Sequence, residues 1–216
     1  MINGVQIKVC GLTRVEDAVV AADTGADYLG FILYPKSPRH LPLERYVGLA
    51  PALPPGPGRV AVMVEPTTEA LAAAVAAGFD FFQIHFAHTT PPATLREWSA
   101  QLGPRRLWLA PKLPPDLDVP ADWLPLADTV MVDTFHAGGF GGSGKTGDWA
   151  KFARHQAAHP GHAWILAGGL SPENIAEAMM RSGTRRVDVN SGVESAPGLK
   201  DHSKLRALAA TLSNRS

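Results

Sequence analysis

Short runs of β-branched and aromatic residues alternate along this chain with longer stretches in which apolar positions return every third and fourth residue. The runs predict strands at Gln6–Cys10, Tyr28–Leu33, Arg59–Val64, Phe79–His85, Arg106–Lys112, Thr129–Asp133, Ala163–Ala167 and Arg186–Asn190. The stretches between them predict helices. Ala18, Val19 and Ala22 share one helical face, as do Leu71, Ala74 and Val75, then Ile175, Ala178 and Met179, and Leu205, Leu208, Ala209 and Leu212. Pro66-Thr67-Thr68-Glu69 and Ser171-Pro172-Glu173 read as helix starts, and Gly25, Gly78 and Gly183 as helix ends. Proline intervenes twice: Pro51 to Pro57 ends the second helix early, and Pro111 to Pro120 leaves the fifth short or irregular. Eight such pairs with short connections in 216 residues predict an α/β protein, a (β/α)8 TIM barrel forming a single domain over 1–216. A doubly wound open sheet is the alternative fold.

Composition narrows the function without naming it. Twenty basic and twenty acidic residues give no net charge, so no global field draws nucleic acid or an anionic membrane, and an anionic ligand needs a local site. The one cysteine excludes an internal disulfide. The most apolar window, Ala70 to Phe82, is broken by Gly78 and Asp80 and is too short to span a membrane. No basic segment leads a long apolar stretch at the start, so the cytoplasm is the expected location.

In a barrel the carboxyl ends of the strands form one ring, where ligands gather. Cys10 ends the first strand, His85 the fourth and Asp133 the sixth, and Ser37-Pro38-Arg39 follows the second. Period-two alternation turns Lys8 and Cys10 inward and Ile7 and Val9 outward. Asp188 and Asn190 share the inward face of the eighth strand, where hydrogen bonding inside the barrel is the favoured reading. Glycine-rich loops at Gly138 to Gly144, Gly168-Gly169 and Ser191-Gly192 let backbone N–H groups approach a phosphate. Gly139 to Thr146 formally matches a nucleotide-binding P-loop, but six residues separate it from Asp133 and Gly147-Asp148-Trp149 follows it. His85 and His88 lack a third ligand at suitable spacing, so no metal is expected.

Taken together these residues resemble the phosphoribosylanthranilate isomerase family. The resemblance rests on Lys8-Val9-Cys10-Gly11-Leu12-Thr13, Gly30-Phe31 with Ser37-Pro38-Arg39, Val132-Asp133, and Gly141-Gly142-Ser143-Gly144-Lys145-Thr146. It continues through Leu166-Ala167-Gly168-Gly169-Leu170 with Pro172-Glu173-Asn174, and Val187-Asp188-Val189 with Ser191-Gly192-Val193-Glu194. It implies a cofactor-free Amadori rearrangement of N-(phosphoribosyl)anthranilate to carboxyphenylamino-deoxyribulose phosphate, in tryptophan biosynthesis. It also implies a small phosphorylated substrate, no nucleic acid or membrane partner, and a monomer or homodimer.

The resemblance makes Cys10 the base and Asp133 the acid, and gives Arg39 the anthranilate carboxylate. His85, Gly142, Gly144, Gly168, Gly169, Ser191 and Gly192 become the other substrate-binding residues, the glycine loops holding the ribose phosphate. A free thiol titrates near ~8.5 and an aspartate near ~3.9, so at neutral pH the resting forms are the reverse of those the chemistry uses. Inward-facing Lys8 is expected to favour the Cys10 thiolate, with partial burial and bound phosphate raising Asp133. The chain departs from the family at Phe86 after Gln83-Ile84-His85, at Gly147, and at Asn190, where serine is common. Phe86 and Gly147, beside strand ends, would reshape the aromatic pocket. A paralogue acting on another phosphorylated aminosugar, and a non-catalytic phosphate-ligand binding protein, are the competing readings. A binder would need neither Cys10 nor Asp133.

Overall fold

The computed structural model describes residues 1–133 and 148–214. Every predicted strand is present: β1 (Gln6–Val9), β2 (Tyr28–Ile32), β3 (Gly58–Val64), β4 (Phe81–Ala87), β5 (Leu107–Lys112), β6 (Thr129–Val132), β7 (Ala163–Leu166) and β8 (Arg186–Val189). They run parallel in chain order, and β8 closes on β1 with Ile7 opposite Val187 and Lys8 opposite Asp188. The closed (β/α)8 barrel replaces the open sheet as the fold, and closure leaves no edge strand unpaired.

Helices α1 (Val15–Asp23), α2 (Leu43–Leu49), α3 (Thr68–Ala76), α4 (Pro92–Leu102), α5 (Trp149–Ala158), α6 (Ile175–Ser182) and α7 (His202–Ser213) surround it. Proline acts where expected: α2 gives way to a short 3-10 turn, Ala50–Ala52, and a 3-10 helix, Ala121–Leu126, stands between β5 and β6. Thr67 accepts from the Ala70 N–H at 3.2 Å and starts α3. After β8 the chain forms a two-stranded antiparallel ribbon, β9 (Glu194–Ala196) and β10 (Leu199–Lys200), before entering α7. Among the described residues no helix is long and apolar enough to cross a membrane.

Alternation along the strands separates two cores. Outward residues such as Ile7, Val9, Leu29, Phe31, Ile84 and Val187 pack beneath the helices. Cys10, Val60, Val62, Trp108, Ala110, Met131, Ile165 and Ala167 fill the interior. Tyr28 meets Phe81 and Trp108 edge-on at 5.4 and 5.0 Å, packing against that interior core.

One helical face differs from expectation. In α1 the buried residues are Asp17, Ala18 and Ala21, while Val19 is exposed. The polar partners of Asp17 decide this: its carboxylate accepts from Arg14 Nη2 at 2.7 Å and from the Lys200 N–H at 3.2 Å, and faces His202 Nε2 at 2.8 Å. Burying a carboxylate is tolerated only with such partners, so α1 turns Asp17 toward the start of α7.

Candidate active site

The carboxyl ends of the strands surround a cavity of about 70 Å3. Cys10, His85, Asp133, Arg39, Gly168, Gly169 and Ser191 all line it, so residues from six different strand ends or loops converge on one space. Gly192 stands behind that wall. A Cβ there would come within 2.0 Å of the Leu170 carbonyl oxygen, so only glycine lets the loops after β7 and β8 pack together. Gly142 and Gly144, the whole Gly139 to Thr146 run and Gly147 lie outside the described residues.

Cys10 is buried at the tip of β1, its N–H donating to the Val189 carbonyl at 2.9 Å. Burial pushes its thiol up, Lys8 pulls it back, and Asp188 pushes it up again, leaving it above its ordinary value. The expected influence of Lys8 thus has the right sign but does not prevail. Lys8 Nζ, itself fully buried, lies 2.8 Å from Asp188 Oδ1, and this partner offsets much of its charge. Burial depresses the Lys8 ammonium, but Asp188 and Cys10 more than compensate and hold it charged. Burial raises the Asp188 carboxyl despite Lys8. The cysteine therefore rests as a thiol. Space for this layer comes from Gly30 on β2, whose missing Cβ would meet Lys8 Cε at 2.9 Å and Cys10 Sγ at 3.1 Å.

Arg39 is already engaged. Its Nε donates to Glu194 Oε1 and Oε2 at 2.9 and 3.0 Å, and its Nη2 to Oε2 at 2.7 Å. Glu194 Oε1 also accepts from buried Lys200 Nζ at 2.9 Å and the Gly198 N–H at 3.1 Å. Burial pushes the Glu194 carboxyl up, but Arg39 and Lys200 outweigh it and hold it below the usual range. Lys200 Nζ donates in turn to the Asn190 carbonyl at 3.2 Å and to its Oδ1 at 3.0 Å. Asp188 and Asn190 are thus hydrogen-bonded inside the barrel, as their inward positions imply. Sequence reasoning missed the part played by Glu194 and Lys200. Glu194 was visible only as the end of the Ser191-Gly192-Val193-Glu194 segment, and Lys200 carried no signal because strands as short as β9 and β10 have no readable period.

His85 points into the cavity beside Gln83, with the Gln83 Nε2 and His85 Nε2 atoms 2.6 Å apart. Burial, aided by the Lys8 charge, lowers its pKa to about 4, so the ring is neutral at pH 7. Among the described residues no group of three histidine, cysteine or acidic side chains is placed to hold a metal ion. Phe86 corrects an expectation. It is fully buried on the outward face of β4, its ring 5.8 Å from Trp98 and 5.3 Å from Trp123 under the helices. Because His85 faces inward, its neighbour must face outward, and this departure leaves the pocket untouched.

A closed parallel barrel with a thiol and a carboxyl at one mouth, and a guanidinium beside them, has the groups of a barrel enzyme for proton transfer on an anionic ligand. The model of the N-(5'-phosphoribosyl)anthranilate (PRA) isomerase family matches residues 7–211. The N-(5'-phosphoribosyl)anthranilate isomerase of Cereibacter sphaeroides is 39% identical over 214 residues, covering 96% of this chain and 98% of its own. The crystal structure of phosphoribosyl anthranilate isomerase from Thermus thermophilus superposes with a TM-score of 0.78 at 34% identity, covering 96% of this chain and 98% of the other. A phosphoribosyl anthranilate isomerase in complex with reduced 1-(o-carboxyphenylamino)-1-deoxyribulose 5-phosphate gives 0.74 at 28% identity, with the same coverage. The chain belongs to the N-(5'-phosphoribosyl)anthranilate isomerase family, the aldose–ketose isomerases of tryptophan biosynthesis.

Proposed function

We propose that Cys10 and Asp133 are the base and the acid of this chain's reaction, the isomerisation of N-(5'-phosphoribosyl)anthranilate. The observation that carries this reading is that both line the same cavity at the strand ends. Asp133 gives its proton to the furanose oxygen as the C1'–O bond breaks, and the nitrogen lone pair forms the C=N bond of an iminium. The Cys10 thiolate then removes the C2' proton, the freed electron pair moves through C2'=C1' to nitrogen, and an enolamine results. Loss of the C2' hydroxyl proton and protonation at C1' complete the aminoketose, with no net change of atoms or electrons and no cofactor.

The buried thiol fits this sequence. A thiol with a carboxylate and a thiolate with a carboxylic acid hold the same single proton, so one transfer converts the resting pair into the working pair. The iminium formed by ring opening places a positive charge on the substrate near Cys10, favouring the thiolate when it is used. Arg39 supplies a planar cation suited to the substrate's carboxylate. Gly168 and Gly169, with φ of 95° and 62°, open the loop after β7, and together with Ser191, Gly192 and the Gly142 and Gly144 segment they take the ribose phosphate through backbone N–H groups. Neutral His85 lines the sugar site. The ligand is a small phosphorylated sugar amine, and we assign the enzyme to the cytoplasm without a nucleic-acid or membrane partner.

The test follows loss of substrate fluorescence, with the labile substrate generated in place, for the parent chain and for Cys10→Ala and Asp133→Asn. Turnover by the parent and its loss in both variants is expected. A variant that is folded and retains full turnover would remove that residue from its role. A parent that binds ribose phosphates but turns nothing over would favour the binding protein. The outward position of Phe86 takes away one of the two pocket changes that favoured a different aminosugar.

A further inference from the structure

Arg39 enters the cavity from the loop after β2, yet what fixes it lies on the ribbon after β8. Its stem lies over Gly11, where an added Cβ would be 2.8 Å from Arg39 Cδ, so the aliphatic part is wedged. Its fork is gripped along Nε and Nη2 by both oxygens of Glu194, and among the described residues these are its only side-chain bonds. Glu194 is itself immobilised by Lys200 Nζ and the Gly198 N–H, all within a buried cluster. Two cations share one carboxylate there, leaving an excess positive charge at the wall of the site. A free arginine would reorient toward any anion, whereas a fork locked on one edge offers its remaining Nη1 edge in a single orientation.

We propose that Glu194 is a positioning residue that fixes the Arg39 guanidinium for the aromatic carboxylate of the substrate, with Lys200 preserving the positive charge that the carboxylate meets. This rests on the reading of Arg39 as the carboxylate's ligand. Glu194 touches no substrate atom; it acts through Arg39 alone. Without it the guanidinium keeps its charge but loses its alignment, so discrimination for the carboxylate weakens while phosphate and sugar binding persist.

The experiment measures dissociation constants for reduced 1-(o-carboxyphenylamino)-1-deoxyribulose 5-phosphate and for its phenylamino counterpart lacking the carboxylate. The proteins are the parent, Glu194→Gln, Arg39→Ala and the double variant. Glu194→Gln is expected to lower the preference for the carboxylate about tenfold, the scale of one charge-assisted hydrogen bond put out of line, with affinity for the carboxylate-free ligand unchanged. Arg39→Ala loses the preference, and adding Glu194→Gln to it costs nothing further. If Arg39→Ala loses the preference but Glu194→Gln keeps the parent's, the proposal is overturned and the reading of Arg39 stands. A preference that survives in Arg39→Ala overturns both. Should Glu194→Gln not fold, Glu194→Asp, which keeps the charge but withdraws the fork by one methylene, must show the same loss of preference for the proposal to hold.

Discussion

Replacing Lys8 with methionine tests the electrostatics of the barrel interior directly. The substitution keeps an unbranched chain of similar length but removes the buried ammonium 2.8 Å from Asp188. Asp188 would then be a buried carboxylate without its cation, and taking up a proton is its cheapest relief. Relative to a carboxyl that ionises near ~3.9 in the unfolded chain, holding that proton costs about 1.4 kcal/mol per pH unit above it. The ceiling on the loss of stability is therefore about 4 kcal/mol at pH 7 and about 1.5 kcal/mol at pH 5. The sign follows from proton counts: folded Asp188, already raised by burial, binds the proton where the unfolded chain has released it, so the variant loses stability as pH rises. At roughly 2 to 4 °C per kcal/mol for a chain of this size, Lys8→Met should melt below the parent by at most about 8 to 16 °C at pH 7 and at most about 3 to 6 °C at pH 5, with the larger loss at pH 7. Adding Asp188→Asn should recover most of the loss at pH 7. Differential scanning fluorimetry at both pH values measures the effect, and equal losses at pH 5 and pH 7 would refute the reasoning. The same variant lifts the Cys10 thiol further, and because the thiol is the higher-titrating member of the pair, the basic limb of the kcat profile should move to higher pH and its maximum should fall; an unmoved limb would separate Lys8 from the base.

Phe86→Ala should cost about 3 to 5 kcal/mol of stability, from a cavity against Trp98 and Trp123, while leaving KM unchanged; urea unfolding and steady-state kinetics would expose a pocket role if KM rose. His85, held neutral down to about pH 4, should show no imidazole titration by NMR between pH 6 and 8. Its folded pKa lies below the ordinary 6.5, so the unfolded chain takes up the proton first and stability drops by about 3 kcal/mol as pH falls from 6.5 to 4. His85→Gln should flatten that slope in denaturant titrations, and an unchanged slope would assign it to other groups.

Period and punctuation carried most of the architecture into the sequence. Eight short runs with intervening helical periods sufficed for the barrel, and strand alternation alone turned Lys8, Cys10, Asp188 and Asn190 inward. The same rule, applied to the fourth strand, would have turned His85 inward and sent Phe86 outward; proximity to a strand end hid that. In α1, hydrophobicity pointed to Val19 and Ala22, but a buried carboxylate with two polar partners from a distant segment, beside the local Arg14, set the rotation, and no local pattern records partners more than 180 residues away. Glu194 and Lys200 were obscure for a related reason. A five-residue ribbon has too few positions to show a period, and a lysine is read as surface until a carboxylate appears beside it. Lys8 showed the converse limit: alternation located its charge, but only the fold revealed that Asp188 shares it.

The bare backbone at Gly30 ties three positions of the barrel into one hereditary unit. Any side chain there displaces the ends of Lys8 and Cys10 together, so a change at residue 30 is felt at once by the ion pair and by the thiol. A side chain at residue 30 is therefore admitted only where residue 8 or 10 gives way with it, while those two can be shortened on their own. A laboratory lineage selected for a new substrate should accumulate mutations first in the mouth loops, and fill position 30 only in company with a change at residue 8 or 10.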